Sequence, residues 1–216
     1  MYGLVFANGD PNDGPAVTKA LASPEPRFII AADGGLRIAI HFGLRPDLVI
    51  GDMDSVDPIA LAQAEAQGSE IVRFPAEKNE TDLELALLAA AKHGCNPIWV
   101  VGASGDRLDQ TLGNVYLLTL PELRDHDVRL VSHAQATWLI YPGTMTVTGQ
   151  PGDTLSLIPL NGNIRNITTE GLKYPLQHEV LTFGPARGMS NVLTKPEARV
   201  SFDDGVLLAI HTVGRA

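Results

Sequence analysis

Leu48-Val49-Ile50-Gly51-Asp52-Met53-Asp54-Ser55-Val56-Asp57-Pro58 runs from a short apolar segment, through a glycine and three aspartates, to a helix start. A continuous apolar run bounded by turn residues is the pattern of a strand buried on both faces of a parallel sheet. Asp57 followed by Pro58 is an N-cap followed by the first helical position, and Gly68 ends that helix. The same order recurs along the chain. Residues 28–32 lead into Asp33-Gly34-Gly35, and residues 98–101 lead into Gly102-Ala103-Ser104-Gly105-Asp106-Arg107-Leu108-Asp109. Residues 2–7 and 70–74 read as two further strands. Thr81 to Glu84 spells a capping box; Leu83, Leu87 and Ala90 keep one face apolar, and Lys92, His93 and Gly94 close the helix. Strands alternating with helices imply right-handed crossovers and an open α/β sheet.

From about Pro142 the pattern changes. Gly, Pro and Thr recur, and the alternating segments 144–148 and 154–158 replace helical periodicity. Residues 180–183 and 206–211 continue this to the end, so the tail is expected to be a small all-β sandwich or jelly roll. The expected division is an α/β catalytic domain over 1–142 and a β-sandwich domain over 143–216, with the boundary inside 141–152.

Composition narrows the functional classes. The chain has 216 residues, 44% of them hydrophobic and 19% charged, which is ordinary for a globular protein. Sixteen basic residues against 25 acidic ones give a net charge of −9, which opposes binding to nucleic acid or to an anionic membrane and suits a cationic ligand or a divalent metal. No apolar run approaches the roughly 18 residues of a membrane helix. The N-terminus lacks a basic leader, and a cytoplasmic protein is expected. The single cysteine, Cys95, excludes an internal disulfide and is expected to be a buried, inert thiol.

Ligands of open α/β sheets bind beyond the carboxyl ends of the strands, and here those ends carry aspartates. Several carboxylates converging on one rim repel one another, an arrangement usually tolerated when a divalent cation neutralises them; oxygen-only ligands favour magnesium over zinc. Adjacent glycines let backbone amides approach phosphate oxygens, and Arg107 offers a planar charged fork. Asp33, Asp57 and Asp106 also sit where caps and turns are expected, and Asp82 sits where the helix dipole favours a carboxylate in any case. Walker A and GxGxxG sequences are absent, and the six histidines show no metal-binding spacing.

Taken in order, Ala32-Asp33-Gly34-Gly35, Gly51-Asp52-Met53-Asp54-Ser55, Glu77-Lys78-Asn79-Glu80-Thr81-Asp82 and Gly105-Asp106-Arg107-Leu108-Asp109-Gln110 resemble the motif series of thiamine pyrophosphokinases. Thr169-Glu170-Gly171-Leu172-Lys173-Tyr174 and Gly188-Met189-Ser190-Asn191 resemble that family's substrate-side motifs. The resemblance implies a homodimer that transfers diphosphate from ATP to the hydroxyl of thiamine with magnesium and releases AMP. It implies Asp52, Asp54 and Asp82 as magnesium and phosphate-side carboxylates. Asp33 and Gly34 would lie on the same rim, Thr81 and Gln110 would add polar contacts, and Arg107 would face phosphate. Asp109 would sit near the substrate as a metal ligand or an orienter of the hydroxyl. Tyr174, Ser190 and Asn191 would contact thiamine from the partner subunit's β domain, placing the active site at the dimer interface. The chain departs from the family pattern at Asn79, where a carboxylate is common. The alternatives are a pyrophosphokinase for another hydroxymethyl heterocycle, such as a pterin, and a non-catalytic sensor of ATP or thiamine.

Overall fold

In the computed structural model, residues 1–214 are described, apart from 23 and 25. The chain divides into two compact units, Met1–His133 and Ala134–Ala216.

The first unit is built on six strands: β1 (Tyr2–Phe6), β2 (Arg27–Ala32), β3 (Leu48–Gly51), β4 (Glu70–Arg73), β5 (Ile98–Val101) and β6 (Val128–Ser132). They pair in parallel in the order β6-β5-β1-β2-β3-β4. Helices α1 (Pro15–Leu21), α2 (Gly35–His41), α3 (Pro58–Ala66), α4 (Asp82–Lys92) and α5 (Leu108–Leu117) lie between the strands in sequence. Both faces of the central strands are shielded: Leu4, Val5, Phe6, Ile30, Ala31, Val49, Ile98, Val100 and Val101 have essentially no exposed surface. Burial of each large side chain among them contributes about 1.5–3 kcal/mol. The expected helix signals act as read. The Asp57 carboxylate accepts from the Ile59 N–H at 3.0 Å, and the Thr81 hydroxyl accepts from the Glu84 N–H at 3.2 Å. Cys95 is fully buried, and burial pushes its thiol pKa up, away from reactivity.

Strand order decides where a ligand can enter. From β1 the chain steps outward through β2, β3 and β4, then returns to place β5 and β6 on the other side of β1. The crossovers diverge between β1 and β5, leaving a crevice beyond their carboxyl ends. Register brings those ends level, since Phe6 pairs with both Ala31 and Val101.

The second unit is an antiparallel sandwich. One sheet has the order β12-β9-β14-β7, and the other β11-β10-β13-β8. Their strands are β7 (Gln135–Ile140), β8 (Gly143–Thr148), β9 (Thr154–Pro159), β10 (Ile164–Glu170), β11 (Glu179–Leu181), β12 (Asn191–Val192), β13 (Glu197–Phe202) and β14 (Leu207–Thr212). Inward-facing Leu155, Leu157, Ile164, Ile167, Leu181, Val200, Phe202 and Leu207 form its core. The unit begins upstream of the expected 142/143 division because β7 pairs along its whole length with β14, Gln135 to Thr212 through Ile140 to Leu207. Strands β6, β7, β10, β12 and β13 extend the expected set. The strand read at 180–183 is observed as Glu179–Leu181, with Phe183 exposed beyond it.

One buried charge pins the β8–β9 connection. Asp153 accepts from the Gln150 N–H at 2.8 Å, from the Gly214 N–H at 2.7 Å and from His211 Nε2 at 2.9 Å. Burial raises its pKa, but the two backbone donors and His211 outweigh that and hold it below the ordinary carboxylate value. A depressed folded pKa contributes stability above the unfolded value of about 3.9 that is lost as pH falls through the folded value. Asp153→Asn is therefore expected to cost about 1–3 kcal/mol in urea denaturation at pH 7, with the gap between variant and wild type closing below about pH 4.

Candidate functional site

A cleft of about 540 Å³ occupies the β1/β5 switch point of the first unit. Its walls are the segments that follow four strands, 7–10 after β1, 32–33 after β2, 52–55 after β3 and 102–107 after β5, together with the starts of α4 and α5. Three carboxylates converge on it. Asp33, Asp52 and Asp82 each offer an oxygen lying within 4.8 Å of the other two.

Local backbone geometry produces this convergence. Asp33, at the end of β2, has φ +47° and is 4% exposed, with its Oδ1 buried and without a hydrogen-bond partner. Met53 has φ +67° and packs against the core cluster of Ala31, Leu36, Val49 and Val56, while Asp52 and Asp54 on either side line the cleft. Such conformations cost a non-glycine residue of order 1–3 kcal/mol and persist only where the surroundings enforce them. Gly51, with φ +150°, is the hinge of the loop. A Cβ there would come within 3.0 Å of Asp33 Cβ and of Asp82 Cγ and Oδ1, so a glycine lets the two carboxylates close over it. Asp82 reaches the cluster as the first residue of α4, and Thr81 both caps that helix and lines the cleft.

The electrostatics follow from burial and repulsion. Burial foremost, then the nearby Asp82 and Asp54 charges, push the Asp33 carboxyl above its ordinary pKa against the pull of the Gly34 N–H and the Ser55 hydroxyl. Asp52 is held below its ordinary value, chiefly by the Asp54 N–H that bonds its Oδ1 at 3.1 Å and then by Lys78. Lys78 Nζ lies 3.3 Å from Asp52 Oδ2 and 3.1 Å from Asp82 Oδ1. The Asp82 contact is an ion pair without hydrogen-bond alignment. Burial draws the lysine pKa down, and the two carboxylates more than reverse this.

These residues fit a hard divalent cation. The donors are all oxygens, Lys78 is the cation paired with them among the described residues, and a buried carboxylate oxygen points at no hydrogen-bond donor. The cluster groups Asp33 with Asp52 and Asp82; Asp54, expected in that set, lies on the cleft wall with its Oδ1 accepting from the Ser55 hydroxyl at 2.8 Å. Asn79 is exposed, so the cluster assembles without a carboxylate at that position.

The other expected residues separate into groups. Arg107 and Gln110 line the cleft. Asp109 does not; its carboxylate clasps the Arg107 guanidinium in an exposed two-point contact, Nε to Oδ1 at 3.2 Å and Nη2 to Oδ2 at 2.6 Å. Gly34 stands beside the rim as the N-cap of α2, where a Cβ would meet the Asn8 side chain at 2.4 Å. Tyr174, Ser190 and Asn191 belong to the second unit. The Tyr174 N–H donates to Asn191 Oδ1 at 3.0 Å, and Asn191 Nδ2 donates to the Tyr174 carbonyl at 2.7 Å. The amide of Asn191 thus fixes the backbone of Tyr174, whose ring is exposed with the Lys173 ammonium 5.4 Å from its centroid. Ser190 adopts φ +53° and donates its N–H to the Ser156 hydroxyl at 3.0 Å.

Cleft residues that escaped sequence reasoning include Asn8, Gly9, Asp10 and Arg37. Arg37 donates to Asn8 Oδ1 at 3.1 Å and to the carbonyls of Asn8 and Gly9 at 3.2 and 2.6 Å, which locks the turn after β1. The rule that singled out the other strand ends applies to β1 as well, and Asn8-Gly9-Asp10 follows it directly.

Fold and cleft define a class: a parallel α/β unit with a carboxylate cluster at its switch point, followed along the chain by an antiparallel sandwich. Residues 21–131 match the thiamin pyrophosphokinase catalytic domain, and residues 144–207 match the thiamin pyrophosphokinase vitamin B1 binding domain. A thiamine pyrophosphokinase of Bacillus subtilis is 29% identical over 184 residues, spanning 85% of this chain and 86% of its own. The crystal structure of a thiamine pyrophosphokinase from Bacillus subtilis superimposes with a TM-score of 0.88 at 27% identity, covering 99% of both chains. That of a family protein from Enterococcus faecalis superimposes with a TM-score of 0.86 at 25% identity, covering 98% of this chain and 99% of the other. The chain belongs to the thiamin pyrophosphokinase family.

The Gly51 geometry is open to a direct measurement. Gly51→Ala is expected to lower stability by about 1–3 kcal/mol in chemical denaturation. Gly113→Ala is the control: no heavy atom lies within 4 Å of the added Cβ, and alanine inside α5 is expected to be neutral or to stabilise by up to about 1 kcal/mol.

Proposed function

We propose that this chain is an ATP-dependent thiamine diphosphokinase. Thiamine hydroxyl oxygen would attack the β-phosphorus of ATP; a new O–P bond forms, the bond from that phosphorus to the oxygen bridging the α-phosphate breaks, AMP leaves, and the hydroxyl proton passes to solvent. The observation that carries the reading is the group Asp33, Asp52 and Asp82, with its buried unpartnered oxygen, at the switch point of a family member's parallel sheet.

Asp33, Asp52 and Asp82 would hold a magnesium ion, with Asp54 beside them. When bound, the ion supplies charge neutralisation for the polyphosphate. The protein's own groups do the positioning. Main chain at Gly9, Gly102 and Gly105 lines the cleft and would face the phosphates. Arg107 uses one Nε and one Nη2 donor on Asp109, which leaves its Nη1 donors for phosphate. Asp109 then acts through the arginine, aiming its fork. Thr81 and Gln110 add neutral polar contacts on the same walls. With a loose transition state such positioning suffices, and no strong general base is required.

In the homodimer that accompanies this proposal, the partner subunit's β domain brings Tyr174, Ser190 and Asn191 to thiamine. Tyr174 offers the cationic thiazolium a π face worth roughly 0.5–2 kcal/mol, with the Lys173 ammonium having to yield that face.

The deciding assay incubates the purified protein with ATP and magnesium and with thiamine, a hydroxymethyl pterin or no acceptor, and follows AMP release and acceptor mass. A mass gain of one diphosphate on thiamine alone is expected. AMP formation with the pterin instead, or tight ATP binding with no AMP, would replace the proposal by one of its alternatives. Asp54→Asn is expected to lower turnover by at least about 100-fold with an unchanged melting temperature, because this cleft-wall carboxylate adds little to the core. Mixing Asp54→Asn with Tyr174→Ala is expected to raise activity above the mean of the two separate variants, by up to about a quarter of the wild-type value, through mixed dimers if the two residues meet across subunits. No recovery from two folded, exchanging variants would place them in one subunit.

A further inference from the structure

Lys78 stands in the turn between β4 and α4, where a lysine would ordinarily extend its ammonium into water. Its side chain is only 9% exposed, and its Nζ is drawn inward between Asp52 and Asp82. Both oxygens of Asp52 are thereby engaged, Oδ1 by the Asp54 N–H and Oδ2 by Lys78. Neither Asp82 Oδ1 nor Asp33 Oδ1 has a hydrogen-bond partner, but Asp82 Oδ1 has the ammonium 3.1 Å away, a cover that Asp33 lacks. One side chain thus does part of what a small cation would do, bridging two of the three carboxylates and leaving the third unsatisfied.

We infer that Lys78 is a built-in surrogate cation: it holds Asp52 and Asp82 together until a divalent ion arrives, and it releases Asp52 when that ion binds. The inference rests on the carboxylate site proposed above and adds a competition to it. An incoming ion that takes Asp52 Oδ2 meets an ammonium 3.3 Å from that oxygen, and two cations cannot share the oxygen without mutual repulsion. A lysine is suited to this. Its flexible stem lets a point charge withdraw along the cleft wall without moving the backbone, whereas a rigid fork would not. Affinity for the ion is then set below what three bare aspartates would give, and the protein remains folded around a charged cavity in the absence of metal.

The test measures Mn2+ binding without nucleotide, by electron paramagnetic resonance of the free ion, to wild type and to Lys78→Met and Lys78→Gln. Both variants are expected to bind Mn2+ more tightly, on the order of tenfold, equivalent to about 1.4 kcal/mol. Both are expected to melt lower than wild type without metal, with the difference closing at saturating Mn2+. A purely structural lysine would give variants that bind Mn2+ equally or more weakly, and that result overturns the inference while leaving the carboxylate site standing. Binding by none of the three proteins overturns both. If a variant is unfolded without metal, recovery of its native circular dichroism on adding Mn2+ supports the inference, and failure of both variants to recover overturns it.

Discussion

Mutual repulsion among Asp33, Asp52 and Asp82 is the constraint around which the first unit is arranged. Three carboxylates with oxygens inside 4.8 Å of one another are unfavourable wherever water cannot screen them, and Asp33 is almost fully buried. The chain contains that cost by anchoring each carboxylate on a different rigid element. Asp33 closes β2, Asp52 follows β3, and Asp82 opens α4. The strand ends beneath them, residues 29–32 of β2 and all of β3, are buried, and α4 buries Leu83, Ala86, Leu87 and Ala90. Stability in the parallel sheet therefore holds the charges where they would not settle unaided, which is the general relation between a stable scaffold and a strained site.

Topology makes this placement useful. A sheet whose strands followed one another in simple sequence would have adjacent crossovers fill the space above its carboxyl edge. The reversal between β1 and β5 leaves that space open, and segments from four strands border it. Glycines occur where main chain must approach closely: a Cβ on Gly35 would lie 2.0 Å from the Phe6 carbonyl oxygen, so α2 can seat its first turn against β1 only with glycine there.

Much of this was legible in the sequence, because the physics that writes it is local. Apolar runs of three to six residues named β1, β2, β3 and β5, and the Asp57 and Thr81 caps act as their residue types predict. The aspartates were visible as a group because each follows a strand. What stayed hidden depends on φ angles and on distant pairing. Nothing in Gly51-Asp52-Met53-Asp54 announces that Met53 turns left-handed into the core, or that Asp33 rather than Asp54 completes the cluster. Strand β7 was hidden because its partner, β14, lies some seventy residues further along the chain. Asp109 reads like its neighbours in sequence, yet two residues away Arg107 claims it. Lys78 read as part of a motif, and only its burial between two carboxylates gives it a role of its own.

The two sides of the cleft are not equally built. Helix α5, which supplies Arg107's successor turn together with Gln110, Thr111 and Asn114, buries none of its own residues and leaves Leu108, Leu112 and Tyr116 facing outward. A helix of ten residues is marginal without packing, and its tie to the sheet includes the Asn114 amide on the Ala103 carbonyl at 2.7 Å. Helix α4 opposite is sunk into the core. The acidic jaw of the cleft thus rests on a buried helix and the jaw that carries the guanidinium on an exposed one, so the second is expected to open at the lower free-energy cost.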